Sequence, residues 1–241
     1  NDIDQNGAIG LVANTSGAVA NISYDTTAGD KTSRVSAATV TMAAGTSTSA
    51  INYLVKTNGA IITVPAINVP GYILLDNTCL GCATRATPAT AAVNGAAMSI
   101  TGALSAGALA GTSGVTINAV ANGSGIGFTQ GANAITAAAG GVTITTNSQA
   151  GAGYSSTGTI TATGQAITIN GTTTTETGIY TTGAINGGAV TLSSTQSTAA
   201  ATLRTIYITG LITANSLTVN ASGGASSTNV TLGAITINAG G

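Results

Sequence analysis

Residues Thr157–Gly171 read TGTITATGQAITING, fifteen residues without a charge, an aromatic ring or a cysteine. Ile160 and Ile167-Thr168-Ile169 alternate β-branched apolar groups with small polar ones, and glycine punctuates the runs. Strand side chains point to opposite faces in turn, so this pattern buries isoleucine and turns threonine outward. The triplet returns as Val115-Thr116-Ile117, Val142-Thr143-Ile144, Val190-Thr191-Leu192 and Leu217-Thr218-Val219, with successive starts 27, 25, 23 and 27 residues apart. A second series passes through Leu109, Ile135, Ile160, Ile185, Ile212 and Ile235. A looser third passes through Ile126, Tyr154, Ile179, Ile206 and Val230. Glycines at 158, 183, 210 and 233 stand two residues before members of the second series.

Three series on one period predict an all-β fold, a parallel β-helix (β-solenoid). Each coil takes about 23–27 residues and three short strands. Neighbouring coils then lie about 4.8 Å apart, and nine or ten coils would make a rod of about 45 Å. The recurrent glycines are expected at corners with positive φ. The outward columns Thr116, Thr143, Thr168, Thr191, Thr218 and Asn118, Thr145, Asn170, Ser193, Asn220 form stacking ladders whose hydroxyls and amides can pair. A run of one charge in such a column would repel itself at one strand spacing, so stacking explains why only 11 of 241 residues are charged.

The regular pattern covers residues 98–241. Residues 1–75 are β-rich but less periodic, a cap or the first coils, with candidate strands at 18–24, 34–42, 50–56, 60–69 and 72–75. Val19, Val40 and Ile62, spaced 21 and 22 apart, allow shorter coils of the same solenoid. Pro65 and Pro70 cannot donate ladder bonds and are expected at strand ends or at a sheet edge. Residues 76–97, DNTCLGCATRATPATAAVNGAA, interrupt the pattern and read as an extruded loop. Loops on a rigid scaffold are where function concentrates, so a carbohydrate- or receptor-binding role is one reading of this segment.

Composition narrows the chemistry. A net charge of −1 with five basic residues argues against nucleic acid, which needs clustered Lys and Arg. No apolar run approaches the roughly 20 residues of a membrane-spanning helix. Positive mean hydropathy with recurrent Ile, Val and Leu argues against disorder. Few charges and abundant Thr, Asn and Gly point to an extracellular or cell-surface location, and Asn1 in place of Met to processing or truncation.

Cys79 and Cys82 form a C-x-x-C, and the chain has no histidine to complete a haem attachment or a Cys/His zinc site. A local disulfide pinning the loop is the favoured reading, with free thiols the alternative. Asp2, Asp4 and Asn6 match the opening of a calcium loop, but Ala13 stands where the bidentate glutamate belongs. Calcium is therefore a weak candidate, a polar turn the plainer one, and no other cofactor is expected. Asp25, Asp30, Lys31 and Arg34 read as a solvated loop. Glu176 and Arg204, 28 residues apart, are expected to face each other on adjacent coils. One carboxylate and no histidine in the regular coils offer no pair for acid–base or metal chemistry, so no catalytic residue is assigned.

The stretches GGVTITTNS, TGTITATGQAITING and TGLITANSLTVNASGG resemble the β-helical stalks of bacterial surface exoproteins, filamentous-haemagglutinin-like adhesins and autotransporter passengers. That resemblance implies export and a structural or adhesive role. The closing TLGAITINAGG stops inside a repeat, which predicts an open strand edge for copies of the chain or a longer chain's next coil. The leading expectation is thus a non-catalytic structural protein, an adhesin segment or filament subunit. Paired threonine columns on a flat face also suit an ice-binding β-solenoid, the second reading.

Overall fold

A computed structural model describes residues 50–57, 61–78, 95–107, 114–121, 123–198, 203–223 and 229–238 throughout. Earlier in the chain it describes the strands Ile3–Asp4, Val12–Ala13, Val19–Asp25, Val35–Ser36, Val40–Thr41 and Ala43–Ala44. Among the described residues there is no helix, so none long and apolar enough to cross a membrane. The chain is a β-solenoid with three parallel sheets running along its axis, of nine, eight and eight strands, plus one two-stranded pair.

The long face stacks Val19–Asp25, Ala50–Lys56, Tyr72–Asp76, Gly114–Ala121, Val142–Ser148, Ile167–Thr173, Ala189–Gln196 and Ser216–Gly223 in sequence order. A first short face follows it, carrying Ile62–Val64, Ala96–Ile100, Ile126–Gly131, Tyr154–Ser156, Ile179–Thr181, Ile206–Ile208 and Val230–Thr231 after two earlier strands. A second short face runs from Val40–Thr41 through Ile67–Val69, Leu104–Ala106, Ile135–Ala137, Ile160–Ala162, Ile185–Gly187 and Ile212–Ala214 to Ile235–Ile237. Apart from the pair Val12–Ala13 and Ala43–Ala44, the strands before residue 76 belong to these same sheets. Two faces therefore carry fewer strands than nine or ten coils require. Coils near the 76–97 segment are longer than the repeat: Tyr72 pairs with Gly114, against Val142 with Ile167.

Alternation creates the core. On the long face Val115 and Ile117, Val142 and Ile144, Ile167 and Ile169, and Val190 and Leu192 are all buried in continuous ranks. The first short face contributes Met98, Phe128, Tyr154, Ile179 and Ile206. There the rings of Phe128 and Tyr154 stack at 5.7 Å and 16°. The second short face contributes Ile67, Leu104, Ile135, Ile160, Ile185 and Ile212.

Three register expectations are corrected. Leu104 and not Leu109 pairs with Ile135, while Leu109 lies outside the described residues. Phe128 and not Ile126 pairs with Tyr154, because the strand Ile126–Gly131 begins two residues earlier against Ala96. Val19, Val40 and Ile62 fall on three different faces, pairing with Ala50, Ile67 and Val35. Pro65 and Pro70 directly follow the strands Ile62–Val64 and Ile67–Val69, where no ladder donor is needed.

The corner glycines act differently from the expectation as well. Among the described residues positive φ occurs at Gly114, Gly123, Gly131, Gly164 and Gly223, not at 158, 183, 210 or 233. The latter four are packed against the preceding coil. A Cβ on Gly183 would fall closer than 3.0 Å to the carbonyl oxygen of Gly158, and one on Gly210 would do the same to Gly183. These glycines let backbone touch backbone where one coil turns above the next.

Burial also sets how the chain meets alkali. Desolvation pushes the phenols of Tyr53 and Tyr154 well above the ordinary tyrosine value of 10, more modestly so for Tyr24. A phenol that keeps its proton more tightly folded than unfolded stabilises the fold below pH 10. That contribution is lost as pH rises from 10 toward the folded-state value. Titration followed by tyrosinate absorbance and circular dichroism should show Tyr53 and Tyr154 ionising only as the strand signal collapses above pH 10. Ionisation of Tyr53 and Tyr154 near pH 10, with the strand signal intact, would contradict this burial.

Candidate functional site

Three features of the solenoid are candidates for function: the outer long face, the base of the 76–97 segment, and the edge coil that carries Ile235 and Ile237. The long face brings the two expected columns together. Thr116, Thr143, Thr168, Thr191 and Thr218 are Cα partners in turn, as are Asn118, Thr145, Asn170, Ser193 and Asn220. Direct side-chain bonds form mainly in the outer columns: Asn220 Nδ2 donates to Ser193 Oγ at 3.3 Å, and Thr195 and Ser222 share a hydroxyl bond of 3.1 Å. The Thr116–Thr218 column is in register, yet among the described residues its hydroxyls do not bond to one another. Its hydroxyls therefore face solvent as a regular array.

Toward the first coils both columns change character. Below Thr116 come Leu74 and Leu54. Below Asn118 come Asp76 and Lys56, charges of opposite sign at one strand spacing. This avoids the like-charge neighbours that a ladder disfavours.

Asp76 ends the strand Tyr72–Asp76 and is buried. Oδ1 accepts from the Thr78 amide at 2.7 Å and its hydroxyl at 2.6 Å, while Oδ2 accepts from Asn118 Nδ2 at 3.3 Å. Asn77 then imitates a strand residue: its Oδ1 accepts from Val120 N at 2.7 Å and its Nδ2 donates to Val120 O at 3.1 Å. Asp76-Asn77-Thr78 thus clamp the exit of the segment to the next strand. Cys79 and Cys82 lie outside the described residues, as do Asp2 and Asn6; of Asp4 only the backbone, in the strand Ile3–Asp4, is described. No group of three metal-ligating side chains occurs among the described residues.

Sequence reasoning missed a polar seam inside the solenoid. Past the isoleucine ranks, the inward positions of the long face become Thr146, Ser148, Thr173, Ser194 and Gln196, all buried. Four of them serve the turns between the long face and the first short face, in three cases the turn of the preceding coil and for Ser194 the turn ahead. Ser148 Oγ donates to Gly125 O at 2.6 Å and Thr173 Oγ1 to Gly151 O at 2.9 Å. Ser194 Oγ donates to Thr205 O at 3.0 Å and Gln196 Nε2 to Thr175 O at 2.9 Å. The signal was present, because VTITTNS keeps its period of 2 after its apolar residues end. Replacing Thr173 by valine keeps the shape and strands the Gly151 carbonyl and the Glu176 amide, which bonds Thr173 Oγ1 at 3.3 Å. A loss of about 1–3 kcal/mol is expected in denaturant unfolding. Unchanged stability would mean that water serves these groups as well.

At the far end, Ile235 and Ile237 continue the second short face. Ile212 is fully buried, whereas Ile235 and Ile237 are 43% and 50% exposed. Leu217, Val219 and Val230 in the same coil are only partly buried. Glu176 and Arg204 do not form the expected pair: Arg204 places its guanidinium carbon 5.1 Å from the Tyr207 ring centre. Comparison with protein-family models, curated proteins and solved structures finds no match to this chain.

Proposed function

We propose that this chain is a non-catalytic extracellular structural solenoid, part of a surface adhesin or filament, that associates by accepting another coil on its open edge. The observation that carries this reading is the exposed inward rank. Six successive members, Ile67 to Ile212, are buried by coils on both sides, and Ile235 awaits the same cover. Each isoleucine fully covered contributes about 1.5–3 kcal/mol, and among the described residues the strand Ser216–Gly223 is the edge of the long face.

A coil docked in the same sense continues every sheet in parallel. Such head-to-tail contact is heterologous and does not close, so its product is a rod that grows. The sparse charge and the small outward residues support the same reading, since they leave the sides of the rod uniform and non-repelling.

Sedimentation velocity tests the edge. The chain should form a concentration-dependent series of larger species, and Ile237→Lys, on a residue already half exposed, should leave the fold intact and shift the chain to monomer. A wild-type chain that stays monomeric at hundreds of micromolar, or a lysine variant that associates equally, would remove the proposal.

A further inference from the structure

The chain has six tyrosines and no tryptophan, and the fold sorts its phenols by access. Tyr154 is fully buried and donates its hydroxyl to Gln130. Tyr24 and Tyr53 pack in the core of the first coils, with ring centres 5.8 Å apart, planes at 57° and both hydroxyls buried. Tyr180 and Tyr207 differ from these. They are the outward middle residues of the neighbouring strands Ile179–Thr181 and Ile206–Ile208. Their rings stack with centres 5.3 Å apart and planes 13° from parallel. Tyr180 is 38% exposed and Tyr207 is half-buried, and among the described residues neither hydroxyl has a hydrogen-bond partner. Among the described residues no other tyrosine pair is both stacked and open to solvent.

That arrangement suits one reaction. The ladder makes the two residues direct Cα partners, so their rings stay within reach of each other. Rotation of an aromatic ring about its Cβ–Cγ bond is broad, which lets an ortho carbon of one ring swing toward the other. One-electron oxidation takes an electron and the O–H proton from a phenol and leaves a phenoxyl radical shared with its ortho carbons. Two such radicals join through an ortho C–C bond. Each ortho hydrogen then moves to the oxygen of its own ring, which restores both phenols. The net loss is two hydrogen atoms, and a haem peroxidase passes them to one hydrogen peroxide to give two waters. Tyr24 and Tyr53 are the internal contrast, since burial resists removal of their protons.

We propose that Tyr180 and Tyr207 are an oxidative crosslinking site, at which a haem peroxidase with hydrogen peroxide forms a dityrosine that ties two adjacent coils. The bond closes the chain from residue 180 to residue 207 and so removes freedom from the unfolded state. It lies within one chain and needs no association between copies.

The folded chain is treated with a haem peroxidase and hydrogen peroxide, and the monomer band of a denaturing gel is analysed. That band should carry dityrosine fluorescence. Trypsin cuts at Arg204, between the two tyrosines, so the peptides on either side of that cut should stay joined, two hydrogen atoms lighter than their sum. Tyr180→Phe and Tyr207→Phe keep the ring and remove only an unpartnered hydroxyl, so both should fold and lose the joined peptides. Tyr53→Phe should retain them. The oxidised parent should unfold at a higher denaturant concentration than the oxidised Tyr207→Phe chain. Four results overturn the proposal: no dityrosine in the monomer band, a crosslink that maps to Tyr24 and Tyr53, joined peptides in a folded Tyr207→Phe chain, or equal unfolding midpoints for oxidised parent and variant.

Discussion

Replacing Gly183 with alanine should destabilise the solenoid by about 3 kcal/mol or more, at the upper end of what overpacking costs. The added methyl group would meet the Gly158 carbonyl oxygen, the Gly158 carbonyl carbon and the Thr157 carbonyl carbon, all backbone atoms held by the coil below. Backbone cannot swing aside as a side chain does, and Gly210 already presses on Gly183 from above. Relief would require separating two coils, which breaks the ladder on all three faces. For a chain of this size the loss corresponds to a fall of roughly 6–12 °C in Tm. Gly164→Ala is the contrasting control. Gly164 has φ of 73° and open space around its Cβ position, so it loses only conformational ease, about 1 kcal/mol. Equal effects at the two positions would mean that the corner glycines are chosen for φ and not for contact.

The second large effect comes from deletion. Ile160 pairs with Ile185, so removing residues 160–184 takes out one strand from each face and joins Thr159 to Ile185 in register. Val142 and Ile144 then meet Val190 and Leu192, Tyr154 meets Ile206, and Ile135 meets Ile185, apolar rank on apolar rank. Stability in a solenoid is nearly a sum over neighbouring coils, so the shortened chain should fold cooperatively and lose only a few degrees of Tm. Removing residues 160–172 instead should leave it unfolded, because that cut takes out a second-short-face strand and nearly all of a long-face strand and leaves two first-short-face strands, Tyr154–Ser156 and Ile179–Thr181, in succession. Circular dichroism and proteolysis distinguish the two. A shortened chain that unfolds after the whole-coil deletion would show that the coils are not interchangeable.

Much of this architecture was legible because a solenoid repeats its solution. Ile135, Ile160, Ile185, Ile212 and Ile235 occupy equivalent sites, and so does the threonine column, so period and parity could be read from residues alone. Exact register was harder where turns vary in length. A constant period selects Leu109, but the coil from Leu104 to Ile135 is longer than its successors. Ile126 and Phe128 have the same parity, and only the pairing with Tyr154 separates them. The corner glycines were found by spacing and misassigned in cause, since close approach between coils is a three-dimensional fact.

The outer tyrosines were within reach. Ile179 and Ile206 were already ranked, and one residue further on the opposite face stand Tyr180 and Tyr207. Arg204 was expected opposite Glu176 from sequence distance alone, and the ring of Tyr207 proved the closer partner.

The central claim is that the last coil is a strand edge suited to another parallel coil. Negative-stain microscopy of the purified chain across a concentration series measures this directly. Rods of constant width whose length grows with concentration, and which shorten to single particles in Ile237→Lys, are the predicted result. Uniform short particles at every concentration, or clusters joined side by side, would contradict it.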